Sequence, residues 1–223
     1  MRPLSYRVSS VAMSRRGLAK VGGRRVFVCA LGVALALSAC ARESRKAPEG
    51  AAQAVLVRIQ TELGDIDVEV DTARAPITAA NFLKYVDAGH YNGGRFHRTV
   101  KLDNQPDRAV RIEVVQAGID PAKKRAELPP ISLERTSETG LSHKDGAISM
   151  ARAEPDSAKS DFFICIGDQP SLDYGGQRNP DGQGFAAFGR VTRGMDVVRK
   201  IQQAPADGQE LKPPVAIIRA TRH

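Results

Sequence analysis

The feature that most limits how this chain can fold is a period-two alternation of apolar residues, repeated in short runs. Val55, Val57 and Ile59 alternate with more polar neighbours, and Ile66, Val68 and Val70 do so again after Leu63-Gly64-Asp65. Successive side chains of a strand point to opposite faces, so the pattern predicts two half-buried strands joined as a hairpin by a turn at residues 63–65. Further strands are expected at Arg95–Val100, Arg111–Ala117, Ala147–Ala151, Phe162–Ile166, Ala186–Val191 and Val215–Thr221. Only two segments read as helices. Pro76 opens one that runs to about Ala88, with Ala79, Phe82, Leu83 and Val86 on one face and Gly89 as its stop; Met195–Gln203 is the other. Many strands with two isolated helices fit a mainly β fold, a closed antiparallel barrel capped by the helices, better than an alternating parallel sheet. The loops at 101–108, 119–145 and 173–184 are long for a compact domain, and loops of that length usually carry function or motion.

The first 39 residues follow different rules. They hold seven of the 33 Lys and Arg and no Asp or Glu, and an uncharged run from Val26 to Ala41 follows the basic part. A basic region, a short apolar region and small residues at a cut site predict an export signal. The run falls short of the roughly 20 residues that a spanning helix needs. Leu37-Ser38-Ala39-Cys40 resembles the lipobox of bacterial lipoproteins, which implies acylation of Cys40; an ordinary cleavable signal with a chance Cys is the alternative. Ser14-Arg15-Arg16-Gly17-Leu18-Ala19-Lys20 resembles a twin-arginine export signal, and secretion by the general route is the other option. Residues 40–53, rich in Ala, Arg, Glu, Lys, Pro and Gly, read as a flexible tether to a domain at 54–223. The expected location is the periplasmic side of a membrane, held by a lipid anchor. Ala41 rather than Asp after Cys40 favours the outer membrane.

Without the leader, 26 basic residues face 25 acidic ones, so the apparent basicity belongs to the export segment. Nucleic acid is therefore not an expected partner. Cys29 lies in the leader and Cys40 in the lipobox, which leaves Cys165 with no partner for an intramolecular disulfide. Such a domain has to stand on its hydrophobic core, and a monomer is expected. Cys165, inside Phe162-Phe163-Ile164-Cys165-Ile166, reads as a buried inert thiol.

Four strand-like pieces could face one groove: Phe96-His97-Arg98, Gln116-Ala117-Gly118, Ser149-Met150-Ala151-Arg152 and Asp161-Phe162-Phe163-Ile164. In this order and spacing they resemble the cyclophilin family of peptidyl-prolyl isomerases. Thr78-Ala79-Ala80-Asn81-Phe82 is similar to that family's first helix, Phe188-Gly189-Arg190-Val191 to its late strand, and Gly194-Met195-Asp196-Val197-Val198 to its second helix. Pro155-Asp156-Ser157-Ala158-Lys159-Ser160 is similar to the bacterial exported branch. The resemblance spans about Val55 to Ala220. It implies an eight-stranded cyclophilin-like barrel and catalysis of cis–trans exchange in proline-containing polypeptides, here unfolded or extended exported proteins.

That chemistry can be matched to residues. Exchange about an Xaa-Pro bond breaks amide resonance and needs no covalent step, so a catalyst has to bind the twisted amide better than either planar form. Arg98 offers a rigid, permanently charged fork and matches the family's catalytic arginine. Gln116 continues the alternation of Ile112 and Val114, and can fix the fork or touch the substrate carbonyl. Phe163 is the expected floor of a proline pocket, with Leu172, Val114 and Phe185 as walls, and plain core is the equal alternative for these residues; Phe162 reads as core. Ala151 and Arg152 can lend backbone groups to an extended peptide. His97 reads as a hydrogen-bonded structural residue, since rotation needs no proton removed. His90, His143 and His223 lie apart, and Asp173, Asn179 and Asp181 lack the acid and glycine positions of a calcium loop. No metal and no cofactor are expected.

Some positions depart from the family's pattern. Counting back from Gln116 puts Glu113 where an apolar rim residue is usual; Asp161 stands for Gln, Ser171 for the Trp of some members, and Phe185 for His or Tyr. These changes predict a smaller, more acidic rim that favours basic residues beside the proline, and they put binding of cyclosporin-type inhibitors in doubt. Two other readings stay open: a membrane-tethered barrel that binds extended chains with little isomerase activity, and a structural lipoprotein without a groove.

Overall fold

A computed structural model describes residues 54–223; the expected leader at 1–39, Cys40 and the tether at 40–53 lie outside the described residues. Strands β1 (Val55–Thr61) and β2 (Gly64–Val70) form the expected hairpin, with Val55 opposite Val70 and Thr61 opposite Gly64. Their alternation buries Val57, Ile59, Ile66, Val68 and Val70 on one side. The turn is tighter than the sequence suggests, because Gly64 and Asp65 are already paired and only Glu62-Leu63 connect the strands. Gly64 has φ +133°, and a Cβ on it would sit 2.8 Å from Val197 Cγ2, so this glycine serves both the turn and a helix that packs over it.

The remaining elements are α1 (Pro76–Asp87), β3 (Arg95–Val100), β4 (Val114–Gly118), α2 (Thr136–Thr139), β5 (Ala147–Met150), β6 (Phe162–Cys165), β7 (Ala186–Arg193), α3 (Met195–Gln203), β8 (Ala206–Asp207) and β9 (Glu210–Arg222). Strand order is β1-β2-β7-β5-β6-β4-β3-β9, and β9 pairs back onto β1, so eight antiparallel strands close a ring. Closure leaves none of the eight as an open edge. The two-residue β8 pairs with β9 alone, as a short arm that the sequence reading did not anticipate. Strand β4 starts later than expected because the loop takes its first residues: Gln105 Nε2 donates to the Ile112 carbonyl at 2.8 Å, and the Ile112 N–H donates to Gln105 Oε1 at 3.3 Å.

Pro76 pre-sets the first turn of α1, whose N–H groups at Ile77 and Thr78 donate to the two oxygens of Glu134 at 3.0 and 2.7 Å. The helix buries Ala79, Phe82, Leu83 and Val86 as expected, and Tyr85 with them. Helix α3 buries Val197, Val198 and Ile201.

Period two divides each central strand between two apolar clusters. Val115, Ala117, Ile148, Met150, Phe162 and Ile164 fill the barrel interior, together with residues of both long helices. Their neighbours Val114, Ala147, Phe163 and Cys165 form a second cluster with Val100, Ile112 and Leu172. Burial pushes the Cys165 thiol well above its ordinary pKa, as befits an inert core thiol.

Strand β2 is tied to both neighbours through Asp67. It accepts from Arg58 Nε at 2.7 Å and Nη2 at 3.1 Å, and from Arg193 Nε at 2.7 Å. The Arg58 hydrogen bonds, seconded by Arg193, hold this carboxyl well below the usual range despite its partial burial. A depressed folded pKa stabilises the fold fully above the unfolded carboxylate value of about 3.9 and loses that contribution as pH falls through the folded value. Thermal unfolding followed from neutral to acid pH is expected to lose less midpoint temperature in Asp67→Asn than in the parent. Parallel curves would show that Asp67 carries no linkage.

Candidate active site

Where Arg98 points is set by an irregularity in β3. Phe96 lies opposite Ala117 and Arg98 opposite Gln116, which leaves His97 as an extra residue with no partner on β4. Regular pleating would send Phe96 and Arg98 to one face. The bulge lets the fully buried Phe96 enter the barrel while Arg98 turns outward. Thr99 then points inward, donating from Oγ1 to the Gln202 carbonyl at 3.0 Å.

The pairings then align one row across the sheet. Arg98 on β3 faces Gln116 on β4, Gln116 faces Phe163 on β6, and Phe163 faces Ser149 on β5. Neighbouring strands are about 4.8 Å apart, so the row brings residues distant in sequence to one outer surface. An open groove of about 740 Å³ lies over it. Of the candidate site residues, Arg98, Gln116, Phe163, Val114, Leu172, Phe185, Ala151, Arg152 and Asp161 line this groove.

Arg98 is held as a rigid donor. Its Nη1 donates to Gln116 Oε1 at 3.0 Å, and its Nε and Nη2 donate to Gln209 Oε1 at 3.0 and 2.6 Å. Three of its five N–H bonds are thereby used, and one on each terminal nitrogen is left for a ligand. Burial, then the like charge of Arg108, lowers the Arg98 pKa, yet a guanidinium stays charged at any physiological pH. Gln209, in the turn between β8 and β9, also donates from Nε2 to the Asn104 carbonyl at 3.1 Å. Sequence reasoning missed it, for no motif surrounds it.

Asp161 sets the orientation of Gln116. An ionised carboxylate only accepts, so the Gln116 Nε2 contact to Asp161 Oδ2 at 3.2 Å turns the amide oxygen toward Arg98. Gly118 makes room for this: a Cβ there would lie 2.5 Å from Asp161 Oδ1. His97 Nε2 is 3.6 Å from the same oxygen, Asp161 Oδ2.

The apolar slot is built around Phe163. Phe185 meets it edge-on at 5.3 Å between ring centroids, and the His143 ring stacks on it at 5.9 Å. His143, expected to lie apart on a loop, is fully buried, 2.7 Å from Asp173 Oδ1 through Nδ1 and 3.0 Å from Ser149 Oγ through Nε2. Burial alone would raise the Asp173 pKa, but hydrogen bonds from the His143 ring and backbone outweigh it and hold the carboxyl low. The order Ser-His-Asp looks like a nucleophilic relay, but Ser149 is sealed from solvent, so these residues support the slot instead. Arg152 has a structural side chain: it donates to the Gly184 carbonyl at 2.8 Å, pairs with Asp181 and lies 5.1 Å above the Phe185 ring. The Ala151 N–H is already given to the Asp161 carbonyl at 2.8 Å and is closed to a peptide.

Two expectations about the rim are corrected. Glu113 does not border the groove; it lies in the irregular segment just before β4, where it accepts from Gln202 Nε2 at 3.0 Å, and Ile112 takes the lining position. Nor is the rim acidic. Arg98, Arg108, Lys124, Arg152, Lys159 and Arg178 border the groove against only Glu127 and Asp161. Arg108 and Arg178 come from the long loops, whose convergence no local pattern announces. Among the described residues, no group of three His, Cys, Asp or Glu side chains is placed to hold a metal ion.

Fold and groove together define a class: a closed antiparallel barrel with an outward apolar slot beside a pinned guanidinium. Residues 56–222 match the family described as cyclophilin type peptidyl-prolyl cis-trans isomerase/CLD. Peptidyl-prolyl cis-trans isomerase A of Dickeya dadantii is 38% identical over 154 residues, covering 68% of this chain and 73% of that protein. An Acinetobacter baylyi peptidyl-prolyl cis-trans isomerase is 36% identical over 169 residues, covering 73% and 82%. In fold, the chain is similar to a Cryptosporidium parvum cyclophilin type isomerase solved in the presence of the dipeptide Ala-Pro, with TM-score 0.61, 22% identity, and coverage of 75% of this chain and 98% of that one. The chain belongs to the cyclophilin-type peptidyl-prolyl cis-trans isomerase family.

Proposed function

We propose that this enzyme speeds cis–trans exchange of Xaa-Pro bonds in exported polypeptides as they fold, with Arg98 stabilising the twisted amide. The observation that carries the reading is the pinned Arg98 fork beside the slot floored by Phe163. Resonance sets a barrier of about 18–20 kcal/mol to rotation, and the barrier falls if the proline nitrogen, pyramidal and basic at the half-turn, meets a charged donor. The slot holds the ring while the carbonyl side of the bond turns. The free Arg98 N–H bonds supply the donor, and no water, metal or proton transfer enters the scheme. Line-shape or exchange NMR on a proline tetrapeptide, with the full chain at catalytic concentration, is expected to show accelerated exchange. An unchanged rate, with client aggregation still suppressed, would favour a peptide-binding barrel instead.

The leader and the Leu37-Ser38-Ala39-Cys40 sequence support anchorage through acylated Cys40, facing the periplasm and preferably at the outer membrane, with the domain acting as a monomer on its tether. Each buried acyl methylene adds about 0.8 kcal/mol of membrane affinity, so two or more chains give stable anchoring. An inhibitor of lipoprotein processing is expected to leave an unprocessed precursor. Recovery of a soluble mature form without acyl groups would remove the anchor from the reading.

A further inference from the structure

The cations of the groove are not equally balanced. Glu127 is engaged by Lys124 at 2.7 Å, by Lys159 at 3.8 Å and by Ser160. Asp161 is occupied with Gln116, and Arg152 is neutralised by Asp181 at 2.8 Å. Arg98, Arg108 and Arg178 are different: among the described residues none of them has a carboxylate partner. Arg178 is brought to the rim by its N–H, which donates to the Ser171 carbonyl at 3.1 Å. Its Nη1 is then fixed by neutral acceptors, Gln105 Oε1 at 2.8 Å and the Val110 carbonyl at 2.7 Å. The three guanidiniums are close enough to feel one another. Burial and then like charge depress Arg98, through Arg108, and Arg178, through both Arg108 and Arg98. Gathering like charges at a half-buried rim without a counter-ion is unfavourable, and an incoming anion relieves it.

We propose that Arg98, Arg108 and Arg178 together receive a carboxylate of the substrate next to its proline, making the groove selective for acidic sequence context. The proposal rests on the isomerase reading for where the proline sits, and adds to it a substrate preference. Guanidinium forks match carboxylates in pairs of hydrogen bonds, and Arg98 and Arg178 are both held by neutral partners that leave their charge uncompensated. The carboxylate can come from an Asp or Glu side chain flanking the proline, or from the end of a chain that stops just after it.

The test measures both binding and exchange of short peptides with the full chain. Blocked peptides carrying Glu, Gln or Lys on either side of one Xaa-Pro bond are compared with a Gln peptide whose C-terminus is free. The Glu peptide or the free-terminus peptide is expected to bind about five- to tenfold tighter than the blocked Gln peptide, with Lys weakest. Whichever of the two gains identifies the source of the carboxylate. The advantage should shrink in 1 M salt, which shortens the screening length to about 3 Å. Arg108 is exposed, so Arg108→Glu tests the charge with little risk to the fold, and it should abolish the preference or turn it toward Lys. Equal affinities for Glu, Gln, Lys and free-terminus peptides would overturn the proposal, as would a preference untouched by salt and by Arg108→Glu. Should the neutral peptide be isomerised without any acidic preference, only this inference fails. Tighter binding of the acidic peptide without any acceleration would leave the inference standing and remove the isomerase reading.

Discussion

Arg98→Ala is expected to lower kcat/KM for a proline tetrapeptide by about 10²- to 10³-fold, the loss typical when one preorganised donor to a transition state is removed. On the proposed mechanism the effect should fall mainly on kcat for a neutral peptide, whose planar forms would be held by the slot while its twisted amide alone would meet the guanidinium. Arg98→Lys should recover little: an ammonium cannot reach Gln116 and Gln209 together while still presenting donors to the groove. Gln209→Ala should give an intermediate loss of about tenfold, since it frees two of the three hydrogen bonds that pin the fork without removing the charge. Circular dichroism of each variant checks that the barrel is intact. Parent and Arg98→Ala proteins with the same rate would overturn the assigned role.

Phe162→Ala and Phe163→Ala are expected to fail in opposite ways, although the residues are neighbours. Phe162 is fully buried and meets Phe82, Tyr91 and Phe96 edge-on at centroid distances of 5.5, 5.4 and 6.0 Å. Truncating a ring in such a core costs about 3–5 kcal/mol, a transfer loss plus an unfilled cavity. For a domain of this size that lowers the unfolding midpoint by about 6–20 °C. Phe163 faces the groove, where its loss opens into solvent rather than leaving a sealed void, so stability should fall less and KM should rise. Thermal unfolding and steady-state kinetics on both variants separate the two faces. Similar melting losses for both would show that the two clusters do not behave as core and slot.

Much of this division was legible in the chain. The motif reading put Phe162 with the core and offered Phe163 as the slot floor, and Pro76 and Gly89 marked the limits of α1. The groove could be expected from Gln116 and Phe163, because each sits in one of the four stretches that carry the family resemblance. Glu113 could not be placed by counting, since the loop before β4 carries its own hydrogen-bonded irregularity at Gln105 and Ile112. Gln209 and His143 were invisible as site residues. Their partners lie 111 and 30 positions away along the chain, and nothing in their own neighbourhoods calls for them.

What the sequence alone determined is therefore what covalent geometry dictates locally: period-two burial in the strands, the two long helices and their ends, and the motifs that mark the family. Tertiary structure decided the rest. The bulge at His97, a matter of how β3 pairs with β4, turned Arg98 out of the barrel and into line with Gln116 and Phe163. The convergence of distant loops set the charge of the rim, bringing Arg108 and Arg178 beside Arg98 and reversing the acidic groove that the residues near the motifs had suggested. Pleating acts between adjacent residues and can be read from a string; register and loop docking depend on which distant segments close the barrel together, and only the folded chain contains that information.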